Sequence, residues 1–172
     1  METTFMKLPG SALVSLILCL AGTGVGYAAA QLSGAQAPDF VLKNLAGENL
    51  RLSEYRGEVV MLSFWASWCS ECRAQLAEMN GIYSAYRQTG FQSLTVSMDK
   101  DRRGTSETMT ALSLGYPVLY DADLEVSRLY DVDSLPIALL IDREGVVREV
   151  IHGYGQSSEP QYLERVQTLL AE

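Results

Sequence analysis

The sequence predicts an α/β domain: a central mixed sheet with helices on both faces and a β-hairpin extension at its N-terminal end. Three observations predict it. Glu58 to Trp65 (EVVMLSFW) is an almost continuous apolar run, the pattern of a strand covered on both faces. Ser70 to Arg87 carries Leu76, Met79, Ile82, Tyr83 and Tyr86 at helical spacing. Strand-like and helix-like stretches then alternate and finish with a hairpin and a helix, an order that puts parallel and antiparallel neighbours into one sheet.

In chain order, Asp39 to Lys43 and Glu48 to Leu52 read as short strands joined through Asn44-Leu45-Ala46-Gly47, with the glycine serving the turn. After the Glu58–Trp65 strand and the Ser70–Arg87 helix, Gly90 is the stop signal. Phe91 to Met98 is the next strand, Thr105 to Leu114 a helix, Pro117 to Tyr120 a short strand, and Asp123 to Tyr130 a helix with Asp123 near its cap. Pro136 to Asp142 and Val146 to His152 form a hairpin across Arg143-Glu144-Gly145, and Glu159 to Ala171 closes the chain as a helix.

Composition bounds the function. The chain has 172 residues, a formal net charge of −8, 48% apolar and 20% charged residues. That is one globular domain, not a disordered tail, a collagenous fibre or a multi-span membrane protein. Nucleic-acid binding needs clustered Lys and Arg that release counterions; here the longest basic run is Arg102-Arg103. Three cysteines and one histidine are too few for a disulfide-stapled miniprotein or a Cys/His zinc module.

No formal charge stands between Lys7 and Asp39, and Ala12 to Leu20 (ALVSLILCL) is strongly apolar. The run is short for a bilayer span and decays into small residues, with Ala28-Ala29-Ala30 offering a cleavage site before Gln31. Residues 1–30 therefore read as a signal peptide or, uncleaved, as an anchor tilting residues 8–30 through a membrane. Either reading exports residues 31–172. Cys19 lies inside the apolar core after Leu18 and reads as a hydrophobic leader residue rather than a lipidation site. Gly22-Thr23-Gly24-Val25-Gly26 follows no strand, so it is not a phosphate loop.

After export, the cysteines that remain are Cys69 and Cys72, where the buried strand hands over to the helix. As a staple they would close a loop of about four residues, worth roughly 2 kcal/mol against nearly 5 for a hundred-residue loop. As a zinc site they lack partners, since His152 is the sole imidazole. As a redox pair they fit. Cys69 sits at a helix N-terminus, where the dipole and unpaired N–H groups favour a thiolate that attacks a disulfide. Cys72, one turn inward, resolves the mixed disulfide. Ser70 and Glu71 between them tune the couple, and no organic cofactor is needed because the dithiol stores the two electrons.

Ala37-Pro38-Asp39-Phe40, Leu52-Ser53-Glu54-Tyr55-Arg56-Gly57, VVMLSFWASWCSEC, and Leu135-Pro136 followed by IALLIDREG occur in that order. Together they resemble the exported TlpA/ResA/CcmG group of thioredoxin-fold thiol-disulfide oxidoreductases, from about Ala37 to the C-terminus. The resemblance implies reduction of protein disulfides outside the cytoplasm, in the periplasm or at the outer face of the cytoplasmic membrane, often during maturation of apocytochromes c or copper-site proteins. It implies electrons returned by a membrane thiol-reducing conduit. It also implies that Leu135-Pro136 is a cis bond beside Cys69 whose preceding backbone pairs with an extended substrate by strand addition. Trp68 is then the flat apolar rim on which a partner docks.

Three positions that bear on proton transfer and redox poise depart from the usual pattern. Glu71 stands where many relatives have Pro, Gln75 where a helix Glu is common, and Ser63 where thioredoxin itself has a buried Asp. Ser63 and Gln75 cannot accept the Cys72 proton, so Glu71 or solvent must substitute. Glu71 also sets a negative charge near a Cys69 thiolate, which predicts a Cys69 pKa close to an ordinary thiol's and a reducing couple. Ala77, where the family often has Pro, predicts a straighter helix.

Two other function classes remain open on sequence. A Cu(I)-binding maturation protein would use Cys69, Cys72 and His152, with Met61 or Met98 assisting, although copper chaperones of this fold space their cysteines one residue wider. A non-catalytic docking module would carry the thiols incidentally. Peroxide reduction is disfavoured, since the Thr-x-x-Cys loop is absent. Asp121-Ala122-Asp123-Leu124-Glu125 opens like a calcium loop, but Val126 and Val132 occupy its required Gly and Glu places. Asp99-Lys100-Asp101-Arg102-Arg103 reads as a solvated surface loop.

Overall fold

A computed structural model describes residues 32–155 and 158–172; the leader falls outside them. The elements are β1 (Val41–Asn44), β2 (Asn49–Arg51), a 3-10 turn at Leu52–Tyr55, β3 (Val59–Trp65), α1 (Ser70–Tyr86), a 3-10 turn at Arg87–Thr89, β4 (Phe91–Ser97), α2 (Arg102–Leu112), β5 (Val118–Tyr120), α3 (Glu125–Leu129), β6 (Ile137–Ile141), β7 (Val147–His152) and α4 (Ser158–Ala171). Among the described residues, no helix is long and apolar enough to cross a membrane.

The seven strands form one sheet in the order β2-β1-β5-β4-β3-β6-β7. β3, β4 and β5 run parallel, because each crossover between them passes through a helix, α1 or α2. All other pairs are antiparallel. Gly90 ends the α1 segment with a left-handed φ of 87°, a conformation that costs glycine nothing.

β3 lies inside the sheet between β4 and β6 and is buried along its whole length. Its side chains alternate. Val60, Leu62 and Phe64 enter a core with Phe40, Val126 and Tyr130, whereas Val59, Met61 and Trp65 enter a second core with Leu76, Met79, Tyr162 and Val166. Met109 and Leu112 of α2 border that second core. So α1, α2 and α4 cover one face, and α3 with the N-terminal segment covers the other. Each fully buried aliphatic side chain contributes about 1.5–3 kcal/mol over its exposed state, which is why the apolar run of β3 dictates an interior place covered on both faces.

Two local readings need correction. The helix expected at Asp123–Tyr130 is only Glu125–Leu129, with Leu124 at its N-cap position in a left-handed conformation. Its capping acceptor is the buried carboxylate of Asp121, which takes hydrogen bonds from the Val126 and Ser127 amides and the Ser127 hydroxyl. The charge-dense segment after β4 is not a solvated loop throughout. Asp99 is buried, Asp101 caps α2 by accepting from the Arg103 amide at 2.9 Å, and α2 begins at Arg102 rather than Thr105.

Candidate active site

The chain leaves β3 at Trp65, paired with Ser97 of β4, and turns at once, the Cys69 amide donating to the Ala66 carbonyl at 3.0 Å. Cys69 is the N-cap of the 17-residue α1, with extended backbone (φ −87°, ψ 110°). Its Sγ accepts a hydrogen bond from the Cys72 amide at 3.1 Å. The sulfur thus takes the place of the usual capping oxygen, where unpaired N–H groups and the helix dipole favour negative charge.

Cys69 and Cys72 are joined by a disulfide, with S–S 2.04 Å and Cα atoms 5.3 Å apart. Cys69 is 8% exposed and Cys72 is 0% exposed, so a reagent from outside meets the Cys69 sulfur first. Trp68, one residue earlier, is 74% exposed, and its indole lines a cleft of about 560 Å³ together with Ser67, Met98 and Leu124. Ser70 and Glu71 are the first two helical residues and both face solvent.

Leu135-Pro136 is a cis peptide. β6 pairs with β3 through Phe64–Ile137, which sets Pro136 one residue beyond that pair, beside the corner leading to Cys69. Leu135 packs against the core that contains both cysteines, and the Pro136 carbonyl is taken by the Gly153 amide at 2.8 Å. The structure therefore gathers Trp68, Cys69, Cys72, Leu135 and Pro136 at one end of the sheet.

His152 ends β7 opposite Ile137 of β6 and is exposed. Among the described residues, no three His, Cys, Asp or Glu side chains come together as a metal site.

The positions that depart from the family have their own local chemistry. Ser63 is fully buried and its hydroxyl pairs with that of Thr95 at 2.7 Å. Gln75, also fully buried, donates from Nε2 to the Tyr162 hydroxyl at 2.9 Å, while its Oε1 has no hydrogen-bond partner. Burial pushes the Tyr162 phenol above its ordinary pKa, against the Gln75 hydrogen bond. Neither side chain ionises to take a proton from Cys72.

Sequence reading missed one group here. The Asp99 carboxylate lies under the turn before Cys69 and accepts from the Ser67 amide at 3.0 Å and the Ser67 hydroxyl at 2.9 Å. A buried strand followed by Ser97-x-Asp99 was the only local signal; the partner Ser67 is 32 residues away.

A sheet of this order with a strand–CxxC–helix corner defines a thioredoxin-fold protein that exchanges thiols and disulfides. The AhpC/TSA family model matches residues 33–150. The thiol-disulfide oxidoreductase ResA of Geobacillus kaustophilus is 37% identical over 120 residues, covering 70% of this chain and 69% of the relative. ResA of Bacillus subtilis is 32% identical over 120 residues, covering 70% and 67%. A Chlorobium tepidum crystal structure, described as a candidate thiol:disulfide interchange protein DsbE, superposes with a TM-score of 0.77 at 32% identity, covering 80% of this chain and 97% of that one. The chain belongs to the AhpC/TSA family and, within it, to the ResA-like thiol-disulfide oxidoreductases.

Proposed function

We propose that the protein reduces disulfides of exported proteins outside the cytoplasm, with Cys69 as the attacking sulfur and Cys72 as the resolving one. The observation that supports this most is the asymmetry of the pair: an outward sulfur at the N-terminus of α1, bonded to a fully buried partner. In the reduced protein, the Cys69 thiolate attacks one sulfur of a substrate disulfide, and the other leaves as a thiolate that is protonated from solvent. Cys72 then gives up its proton and attacks the Cys69 sulfur. That step forms the Cys69–Cys72 bond and releases the second substrate thiolate, so two electrons pass from dithiol to substrate. Glu71 or water takes the Cys72 proton, since Ser63 and Gln75 cannot.

Trp68, Leu135 and Pro136 form the docking surface, with an extended substrate segment pairing along the backbone before Pro136. Ser70 and Glu71 tune the couple. The apolar leader supports export, with residues 1–30 as signal peptide or residues 8–30 as anchor, and a membrane thiol-reducing conduit returns the electrons. Apocytochromes c and copper-site proteins are the substrate classes that the family likeness favours.

Cys72→Ser in the full-length chain, expressed in cells, tests this. The expected result is mixed disulfides between Cys69 and exported proteins, released by dithiothreitol and absent when Cys69 is also replaced. If no such adducts form, or if they form with cytoplasmic proteins alone, the proposal fails.

A further inference from the structure

We infer that Asp99 is a positioning residue for disulfide exchange, acting through Ser67; this rests on the exchange chemistry proposed for Cys69. Asp99 is 7% exposed and sits two residues past the end of β4. One carboxylate oxygen accepts from the Ser67 amide at 3.0 Å and from its hydroxyl at 2.9 Å. The other accepts from the Ser67 amide at 3.2 Å, from the Ser97 hydroxyl at 3.1 Å and from the Thr105 hydroxyl at 2.7 Å. Ser97 and Thr105 are themselves 2.7 Å apart.

These donors are neutral and come from three places: the turn before Cys69, the end of β4 and the first turns of α2. A carboxylate is the side chain that answers all of them, because it offers two acceptor oxygens and no hydrogen. An amide in its place would turn an N–H₂ group towards one set of donors. Burying an anion with only neutral donors is costly, and what it secures here is a fixed Ala66–Trp68 turn. That turn delivers Cys69 to the α1 N-terminus and holds the Trp68 indole at the mouth of the cleft that Ser67 and Asp99 also line.

An independent observation points to the same contact. Gly104 is the third residue of α2, and a Cβ built on it would lie 2.4 Å from the Ser67 hydroxyl and 2.9 Å from the Ser67 Cβ. α2 therefore comes as close to Ser67 as a bare backbone allows. Gly104→Ala displaces Ser67 with the Asp99 charge intact, whereas Asp99→Asn removes the charge and scrambles the donors. The two variants separate geometry from electrostatics.

The experiment uses the full-length protein and its Asp99→Asn, Gly104→Ala and Ser67→Ala variants. It measures the dithiol/disulfide equilibrium against glutathione, and kcat and KM for reduction of insulin with dithiothreitol as electron source. Far-UV circular dichroism and urea unfolding report the fold. Positioning predicts that Asp99→Asn and Gly104→Ala each lower kcat/KM at least tenfold and shift the glutathione equilibrium at least threefold while the folded spectrum persists. Ser67→Ala, which keeps the amide donor, falls between them and wild type.

A loss of urea stability with an unchanged equilibrium and unchanged kinetics makes the network merely structural and overturns the inference. So does an effect confined to Asp99→Asn, which would assign it to charge. Should Asp99→Asn fail to fold, Gly104→Ala and Ser67→Ala decide the question alone. A wild-type protein that cannot cycle at all sinks the exchange reading itself, a result distinct from folded variants that match an active wild type.

Discussion

The Cys72 amide donates to the Cys69 sulfur across 3.1 Å, so the outer cysteine caps the helix that carries its own resolving partner. Once the disulfide opens, the same amide and the positive end of the α1 dipole remain to stabilise a Cys69 thiolate. The first acidic side chain of that helix is Glu71, and it works the other way. A carboxylate two residues from the sulfur raises the cost of a second negative charge, in a wet site that weakens but does not remove the effect.

Glu71→Gln therefore lowers the Cys69 pKa in the reduced protein. The lower pKa stabilises the reduced form, so the couple becomes more oxidising. Thiolate absorbance near 240 nm followed against pH reads the first effect, and equilibration with glutathione reads the second. A Cys69 pKa that stays put or rises would refute the electrostatic account of this position.

Trp68 shows a different division of labour. With 74% of its surface in water, it supplies little to the core, and Trp68→Ala should change unfolding free energy by no more than about 0.5 kcal/mol. If a partner docks on it, losing a large apolar anchor costs on the order of 1–3 kcal/mol of binding. The expected outcome is a KM for a protein disulfide raised roughly tenfold, with the rate of reduction by dithiothreitol within twofold of wild type. Equal losses with both reagents would place Trp68 in the chemistry and not in docking.

What the sequence did and did not disclose follows from the range of the forces involved. β3 and α1 are readable because burial writes itself along the chain, as an unbroken apolar run in one and as Leu76, Met79 and Ile82 in the other. Cys69 at the strand-to-helix corner follows from those two elements. α3 has five residues, too few for a period to show, and its capping carboxylate comes from Asp121 before the turn instead of from Asp123. Asp99 looked like one more charge in a charged segment, because its partners Ser67 and Thr105 lie on other elements. The absence of a base at Gln75 was visible, but its partner Tyr162, 87 residues on, was not. Polar pairing across the fold leaves no local periodicity.

Alkaline unfolding should be steep. Burial raises the phenol pKa of Tyr116, Tyr130 and Tyr162 above the ordinary 10.0. Tyr116 and Tyr130 also spend their hydroxyl protons on the carbonyls of Leu76 and Pro38. A group whose folded pKa is raised keeps its proton longer in the folded state, so its stabilisation is intact below the unfolded pKa and is lost as pH rises above it. Tyr116 and Tyr130, raised most strongly, each contribute about 1.4 kcal/mol of lost stability per pH unit, about 3 together. Urea unfolding between pH 9 and 11.5 measures the slope, and Tyr130→Phe should flatten it by about 1.4 kcal/mol per pH unit. A stability flat beyond pH 10 would contradict these burials.

Gln75→Glu carries the sharpest test of the proton problem at Cys72. The side chain at 75 is fully buried, one helical turn past Cys72, facing the Tyr162 hydroxyl. A glutamate there is desolvated, so its folded pKa rises above the unfolded value near 4.3. By the same linkage rule, the variant is penalised progressively as pH rises, losing about 1.4 kcal/mol for each unit by which the folded pKa is raised once both states are ionised. In return, a carboxyl of raised pKa stands within a turn of the resolving thiol and can accept its proton. The rate of mixed-disulfide resolution, measured by stopped flow on a Cys69-linked adduct, is expected to rise severalfold near neutral pH and to acquire a titration that the wild type lacks. A variant that loses stability with pH yet resolves no faster would show that solvent or Glu71 already removes the Cys72 proton without limiting the rate.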